Sequence, residues 1–209
     1  IHEIPKDNQI RNSNSHSLAA QAIRAGAKAY SLPPARDNQD DTRDAIERAV
    51  ASSDLLLLSG GVSAGKYDIV ERVLTQLGAE FFFDRVAIQP GQPLVFGKVQ
   101  GKFFFGLPGN PGSTMVTFEL FARAAIELLS GQAESRLPFA LGRLTQAFSH
   151  KPVLTRFLPA RLSGESEVTP LPWKGSSDIP AISRANVFLV ASSKQAEWAA
   201  GDTIPVLFK

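Results

Sequence analysis

The chain has 209 residues, 44% of them hydrophobic, and a formal net charge of +2. That is enough material for one good core or two modest ones, and too little positive charge for a nucleic-acid-binding stripe. With no cysteine, disulfides and thiolate metal sites are excluded, and no run of about 18 apolar residues is present to span a membrane. A cytoplasmic protein, away from membrane and nucleic acid, is the expectation. The sequence opens Ile1-His2-Glu3 and its single methionine is Met115, so we expect a piece of something longer.

Ser13 and Asn14 are good helix N-caps; Leu18, Ala19, Ala22 and Ile23 follow at helical spacing and Gly26 ends the run. Ala27 to Leu32 reads as a short strand broken by Pro33-Pro34, with a polar loop from Ala35 to Asp41. Asp40, Asp41 or Thr42 can cap a helix from Thr42 to Ser52. Leu55 to Leu58 does not alternate, which predicts a strand buried on both faces. A helix is expected over Ile69–Leu77 and an extended stretch over Glu80–Ala87. Strands are expected over Pro93–Val99 and Lys102–Phe105, joined at Gln100-Gly101. Pro111 opens a helix reaching Ser130. The rhythm predicts an α/β unit, residues 1–134, with a mostly parallel sheet and helices on both faces. Beyond the polar linker, Gly142–Phe148, Thr155–Leu162, Glu167–Pro170, Val187–Ala191 and Thr203–Phe208 are β-prone runs with no convincing helix among them. They predict a small all-β, barrel-like unit over residues 135–209.

Two strands run into loops with few side chains, "SGGVSAG" (Ser59 to Gly65) and "GLPGNPGS" (Gly106 to Ser113). Glycines permit the sharp strand-to-helix turn and leave backbone N–H groups free to face a ligand. In open α/β sheets ligands collect at this carboxyl edge, and helix N-termini favour anions. Either loop alone is as well read as a plain tight turn. Together, with Ser63, Asn110 and Ser113 supplying polar groups, they point to an anion-binding pocket. Neither a Walker loop nor a dinucleotide fingerprint occurs. Asp37 and Asp68 stand in loops predicted to open on the same edge, a pattern that suits a hard divalent cation beside phosphate; helix capping is the alternative, and the better one for Asp40 and Asp41. His2, His16 and His150 show no ligand spacing.

The motifs "SGGVSAGKYD", "AIQPGQPLVFGK" and "GLPGNPGS", in that order and preceded by "RNSNS", resemble molybdopterin molybdotransferase, the family of bacterial MoeA and the gephyrin E domain. The stretches "TRFLPARL" and "KGSSDIPAISRAN" carry the resemblance into the second unit. It implies molybdenum cofactor biosynthesis: adenylylated molybdopterin is cleaved, AMP leaves and molybdate is inserted. Carried over by residue, it implies Asn14 at the pocket floor, and Asp37 and Asp68 as catalytic acids holding Mg²⁺. It implies Gly60, Gly61, Val62 and Ser63 around the pterin–phosphate end, and Pro108, Gly109, Asn110, Pro111 and Ser113 in the second loop. Ser176, and more weakly Arg161, would face the cleft, with Arg156 weaker still. Arg85 keeps a cation where the family often has lysine, whereas Gln89 and Gln92 do not. The family also implies upstream domains, a homodimer whose partner completes the cleft, and poor turnover by this piece alone. Molybdopterin adenylyltransferase and molybdoenzymes are the implied protein partners. The rival readings are a gephyrin-like dimerising scaffold and a molybdopterin adenylyltransferase, the latter disfavoured because its loop usually reads Gly-Gly-Thr-Gly.

Overall fold

The structure, a computed structural model, describes residues 10–60 and 69–209. The first unit contains α1 (Asn14–Arg24), α2 (Gln39–Ser52), β1 (Leu55–Ser59), α3 (Ile69–Gln76), β2 (Glu80–Phe83), β3 (Ile88–Gln89), β4 (Val95–Val99) and β5 (Lys102–Leu107). It ends with α4 (Pro111–Thr117), a π-helical turn (Phe118–Ala122) and α5 (Arg123–Leu129), one rod where a single α-helix was expected. Asn38 rather than Asp40, Asp41 or Thr42 caps α2, accepting the Asp41 N–H at 2.8 Å. Its extended backbone leaves the helix to begin at Gln39, and both aspartates fall in the first turn.

The sheet runs β1-β5-β4-β2, with β1 and β5 parallel but β5–β4 and β4–β2 antiparallel. The expected mostly parallel sheet is therefore corrected to a mixed one. The reason is local: Gln100 at φ 47° and Gly101 at φ 84° reverse the chain in two residues, which forces a hairpin. The expected strand Ala27–Leu32 joins no ladder. Leu56, Phe104 and Val99 pack on one side with Ile46 and Val50 of α2 and Val73 and Leu74 of α3. Phe105, Leu107 and Leu94 pack on the other with Leu18 of α1 and Phe118 and Ile126 of the C-terminal rod.

The second unit contains β6 (Phe139–Leu144), β7 (Phe148–Ser149), β8 (Thr155–Leu162), β9 (Glu167–Pro170), α6 (Ile179–Arg184), β10 (Val187–Ala191), β11 (Glu197–Trp198) and β12 (Thr203–Phe208). Strands β10-β12-β6-β9-β8 close into a five-stranded barrel because β8 pairs back onto β10. Ala160, Val168, Leu189 and Ile204 fill its interior. Helix α6 corrects the expectation of an all-β unit. Asp178 caps it, accepting the Ala181 N–H at 3.1 Å and the Lys174 N–H at 3.0 Å. Those two backbone donors, Lys174 first, hold the Asp178 carboxyl below its usual range.

The units are joined by more than a linker. Strand β3 lies parallel to β8, matching Ile88 with Thr155 and Gln89 with Arg156. Val116 of α4 shares a buried cluster with Phe157, Ile182, Phe188 and Leu207 of the second unit.

Candidate functional site

Parallel pairing brings Ser59 at the end of β1 beside Leu107 at the end of β5, so the two glycine loops leave the sheet at one edge. Gly60 turns at φ +80°, a conformation that suits glycine, and its N–H donates to Leu107 O at 3.3 Å. The loops touch: a β-carbon added to Gly109 would lie 3.7 Å from Gly60 Cα. Asn14, the first residue of α1, ties them. Its Nδ2 donates to Ser59 Oγ at 2.8 Å and to Gly109 O at 2.7 Å. That leaves Asn14 Oδ1 buried without a donor among the described residues. A buried acceptor so placed forfeits roughly 1–3 kcal/mol until a donor reaches it, and in a native site it marks a place for a ligand or water.

In the second loop, Pro108 is buried and its carbonyl accepts Thr114 Oγ1 at 2.5 Å, while Gly109 and Asn110 are exposed. Pro111 opens α4, as its fixed φ favours. The Gly112 N–H is taken by Ser176 O at 2.7 Å, and a β-carbon on Gly112 would sit 2.9 Å from that oxygen. Ser176 is thus pressed against the second loop, and this amide is spent on joining the two units rather than facing an anion. Ser113 is buried beneath the turn, its carbonyl accepting Thr117 Oγ1 at 2.8 Å.

Beside the loops opens a cavity of about 800 Å³, bordered by Asp37, Ser59, Gly60 and Ile69. Asp37 is exposed there, with no ion pair among the described residues. Arg85 and Arg161 are both exposed and do not border this cavity; Arg161 stands on β8 opposite Thr169. Arg156, on β8 opposite Gln89, keeps its Nε buried and without an acceptor among the described residues. Gly61, Val62, Ser63 and Asp68 lie outside the described residues. Among the described residues no three acids or histidines gather as a metal site. Asp37 alone still fits the chemistry of Mg²⁺, which takes one or two protein carboxylates and the rest of its ligands from phosphate and water.

Sequence reading missed what holds Asn14 in place. Glu119, in the π-helical turn, is wholly buried; its Oε1 accepts Gln21 Nε2 at 2.8 Å and an Arg24 guanidinium N–H at 2.5 Å, and its Oε2 accepts from Arg123 at 3.1 Å. This clamps α1 onto the C-terminal rod. Arg123 also binds Glu127 at 3.0 Å, and Glu127 accepts Ser135 Oγ and the Arg136 N–H. Burial works to raise the Glu127 carboxyl, but the Ser135 and Arg123 hydrogen bonds outweigh it and hold it below its usual range.

Residues 3–128 match the family described as "Probable molybdopterin binding domain", and residues 142–209 match "MoeA C-terminal region (domain IV)". A Bacillus subtilis protein named molybdopterin molybdenumtransferase is 33% identical over 95% of this chain and 47% of its own length. A Staphylococcus aureus protein of the same name is 28% identical over 99% of this chain and 50% of its own. A solved Pyrococcus horikoshii structure, a molybdopterin biosynthesis MoeA protein, superposes with TM-score 0.84 at 28% identity, covering 99% of this chain and 50% of that one. The chain spans about half the length of the curated relatives it matches.

Proposed function

The chain belongs to the molybdopterin-binding domain family, in the arrangement that joins this domain to a MoeA C-terminal region, and on that premise we propose that it carries the substrate-binding half of a molybdopterin molybdenumtransferase. Its substrates would be adenylylated molybdopterin and molybdate, and its products molybdenum cofactor and AMP. One observation carries the reading: two glycine turns meet at the carboxyl edge of parallel strands, bridged by an asparagine whose oxygen is buried and unanswered.

Cleaving the phosphoanhydride and delivering an oxyanion need no protein nucleophile. They need charge neutralisation and positioning. Gly60 and Gly109 let a bulky ligand approach the main chain, and Asn14 Oδ1 accepts from a donor on it. Asn110, exposed on the second loop, supplies a further amide. Mg²⁺, when bound by Asp37 with Asp68, would neutralise the phosphates. Ser176 and the loop around it wall the site from the side of the second unit. A homodimer, in which a partner subunit adds to the cleft, belongs to the same reading.

The test is equilibrium binding of AMP and of molybdopterin to this chain and to Asn14→Ala. We expect the substitution to weaken binding about tenfold, the worth of one buried hydrogen bond. Unchanged binding would remove Asn14 from the site. No binding by the natural chain, with its fold intact, would favour a scaffolding role.

A further inference from the structure

We propose that Glu119, with the π-helical turn that carries it, is a positioning residue of the candidate site: by fixing the roll of α1 it sets the aim of Asn14. For the ligand that Asn14 meets, this inference rests on the proposed function.

Asn14 stands in the first turn of a helix whose N-cap, Ser13, makes no side-chain capping bond. The face of α1 toward the sheet is apolar: Leu18 and Ala22 pack with Phe105, Leu107 and Phe118. Such packing has no direction and lets a helix roll through small angles. Direction comes from Gln21 and Arg24. Gln21 Nε2 donates to Glu119 Oε1 at 2.8 Å and to Met115 O at 3.3 Å, and Arg24 binds the same Oε1 at 2.5 Å. From Asn14 to Gln21 is two helical turns, which brings both to one face within about 20° and about 10.5 Å apart along the axis. A grip on Gln21 is therefore a grip on Asn14. Side-chain tips lie about 5 Å from a helix axis, so a roll of about 20° carries one through about 1.7 Å. That exceeds what the bonds from Asn14 Nδ2 to Ser59 Oγ and Gly109 O tolerate.

The π-helical turn makes that grip possible. Residues four apart on an α-helix drift by about 40° per step, so a row of three steps winds through about 120°. Met115, Glu119, Arg123 and Glu127 form such a row. Here the Arg123 N–H donates to Phe118 O, and the wide turn takes up one extra residue, worth about 100°. The row is thereby brought back into line. Met115 O and Glu119 both meet Gln21, Glu119 meets Arg123, and Arg123 meets Glu127. On the sheet side Phe118, Ala122 and Ile126, spaced the same way, stay buried together. One extra residue thus keeps an apolar row on the sheet and a charged row on α1.

A buried ion pair is poor evidence of added stability, because apolar side chains of similar volume often hold as firmly. Glu119 is wholly buried with two arginines and a glutamine bound to it. What its carboxylate supplies and a leucine does not is fixed direction: Oε1 is committed to α1 and Oε2 to the rod. Glu119 does not border the cavity of the candidate site, so its effect on binding acts through α1.

The experiment measures binding of AMP and of molybdopterin to four chains: the natural one, Asn14→Ala, the apolar triple Gln21→Leu/Arg24→Met/Glu119→Leu, and the two combined. In the triple Arg123 keeps Glu127 as a partner, so the urea midpoint should stay near that of the natural chain. Binding should nonetheless weaken about tenfold, as for Asn14→Ala, and the combined variant should lose no more than about tenfold, because both changes disable the same contact. Losses that multiply to about a hundredfold, or a triple that binds as the natural chain does, overturn the proposal. Hydrogen exchange of the Asn14 side-chain amide, followed by nuclear magnetic resonance, reads the same aim without any ligand. It should be at least about tenfold faster in the triple. If the natural chain binds neither molecule, the proposed function fails and this exchange alone decides: faster exchange in the triple upholds the positioning, and equal rates overturn it. Should the triple not fold, Arg24→Met, at a half-exposed side chain, takes its place in the same cycle with an expected loss of about threefold. Unchanged binding and unchanged exchange in that variant would likewise overturn the proposal.

Discussion

In the barrel each of β6, β8, β9, β10 and β12 has a hydrogen-bonded neighbour on both sides, whereas in the neighbouring sheet β1 has β5 on one side and an apolar groove on the other. Among the described residues the same chain thus contains one sheet closed on itself and one in which β1 has a ladder on a single side. Closure makes a β-structure independent of its surroundings. An open edge ties a structure to whatever completes it. The candidate site stands beside the open sheet, and Ser176 of the second unit touches its second loop.

Three measurements can break or sharpen this contrast, and the two tryptophans help, since Trp173 and Trp198 both lie in the second unit while most helix lies in the first. The largest effect is expected from Glu119→Ala. It strands Arg24 and Arg123 and should cost about 3 kcal/mol. Urea unfolding followed by helical circular dichroism should shift more than unfolding followed by tryptophan fluorescence. Equal shifts would show that the shared cluster around Val116 and Phe188 makes one cooperative unit. Gly142→Ala should act in the opposite sense, costing about 2 kcal/mol, because its new β-carbon would fall 2.1 Å from Val168 Cγ2 and 3.2 Å from Ser166 O. Here fluorescence should move first; an unshifted midpoint would show a barrel loose enough to absorb the methyl.

The smallest effect concerns pH. Glu127 is held below its ordinary value when folded, so its contribution is complete above the unfolded carboxylate range of about 4.3 and is lost as pH falls through the folded value. The natural chain should therefore lose more stability than Glu127→Gln between pH 6 and about 3. Parallel losses would remove the link between residue 127 and the segment at Ser135 and Arg136.

Much of the barrel was legible. Thr155–Leu162, Glu167–Pro170, Val187–Ala191 and Thr203–Phe208 occupy the expected residues, because β-prone runs were bounded there by glycine, proline and polar turns. Helix α6 was not, since it is six residues long and its Pro180 reads equally as a break or as a first-turn residue. Ala27–Leu32 has strand composition, but a strand exists only with a partner, and partnership is not local information. The convergence of the Gly60 and Gly109 turns could be expected from parallel order. The Asn14–Ser59 bond could not, because it joins residues far apart in sequence. Glu119 was hidden for a similar reason: a carboxylate in "FELFA" gives no sign of burial until Gln21 and Arg24 arrive from α1.

The bond from the Gly112 N–H to Ser176 O has a mechanical corollary. Together with the β3–β8 ladder it anchors the barrel at two separate points, and one of them is the opening turn of α4. A rigid body held at two points can turn only about the line that joins them, so any other widening of the cleft on that side must deform the helix that follows Asn110 and opens at Pro111.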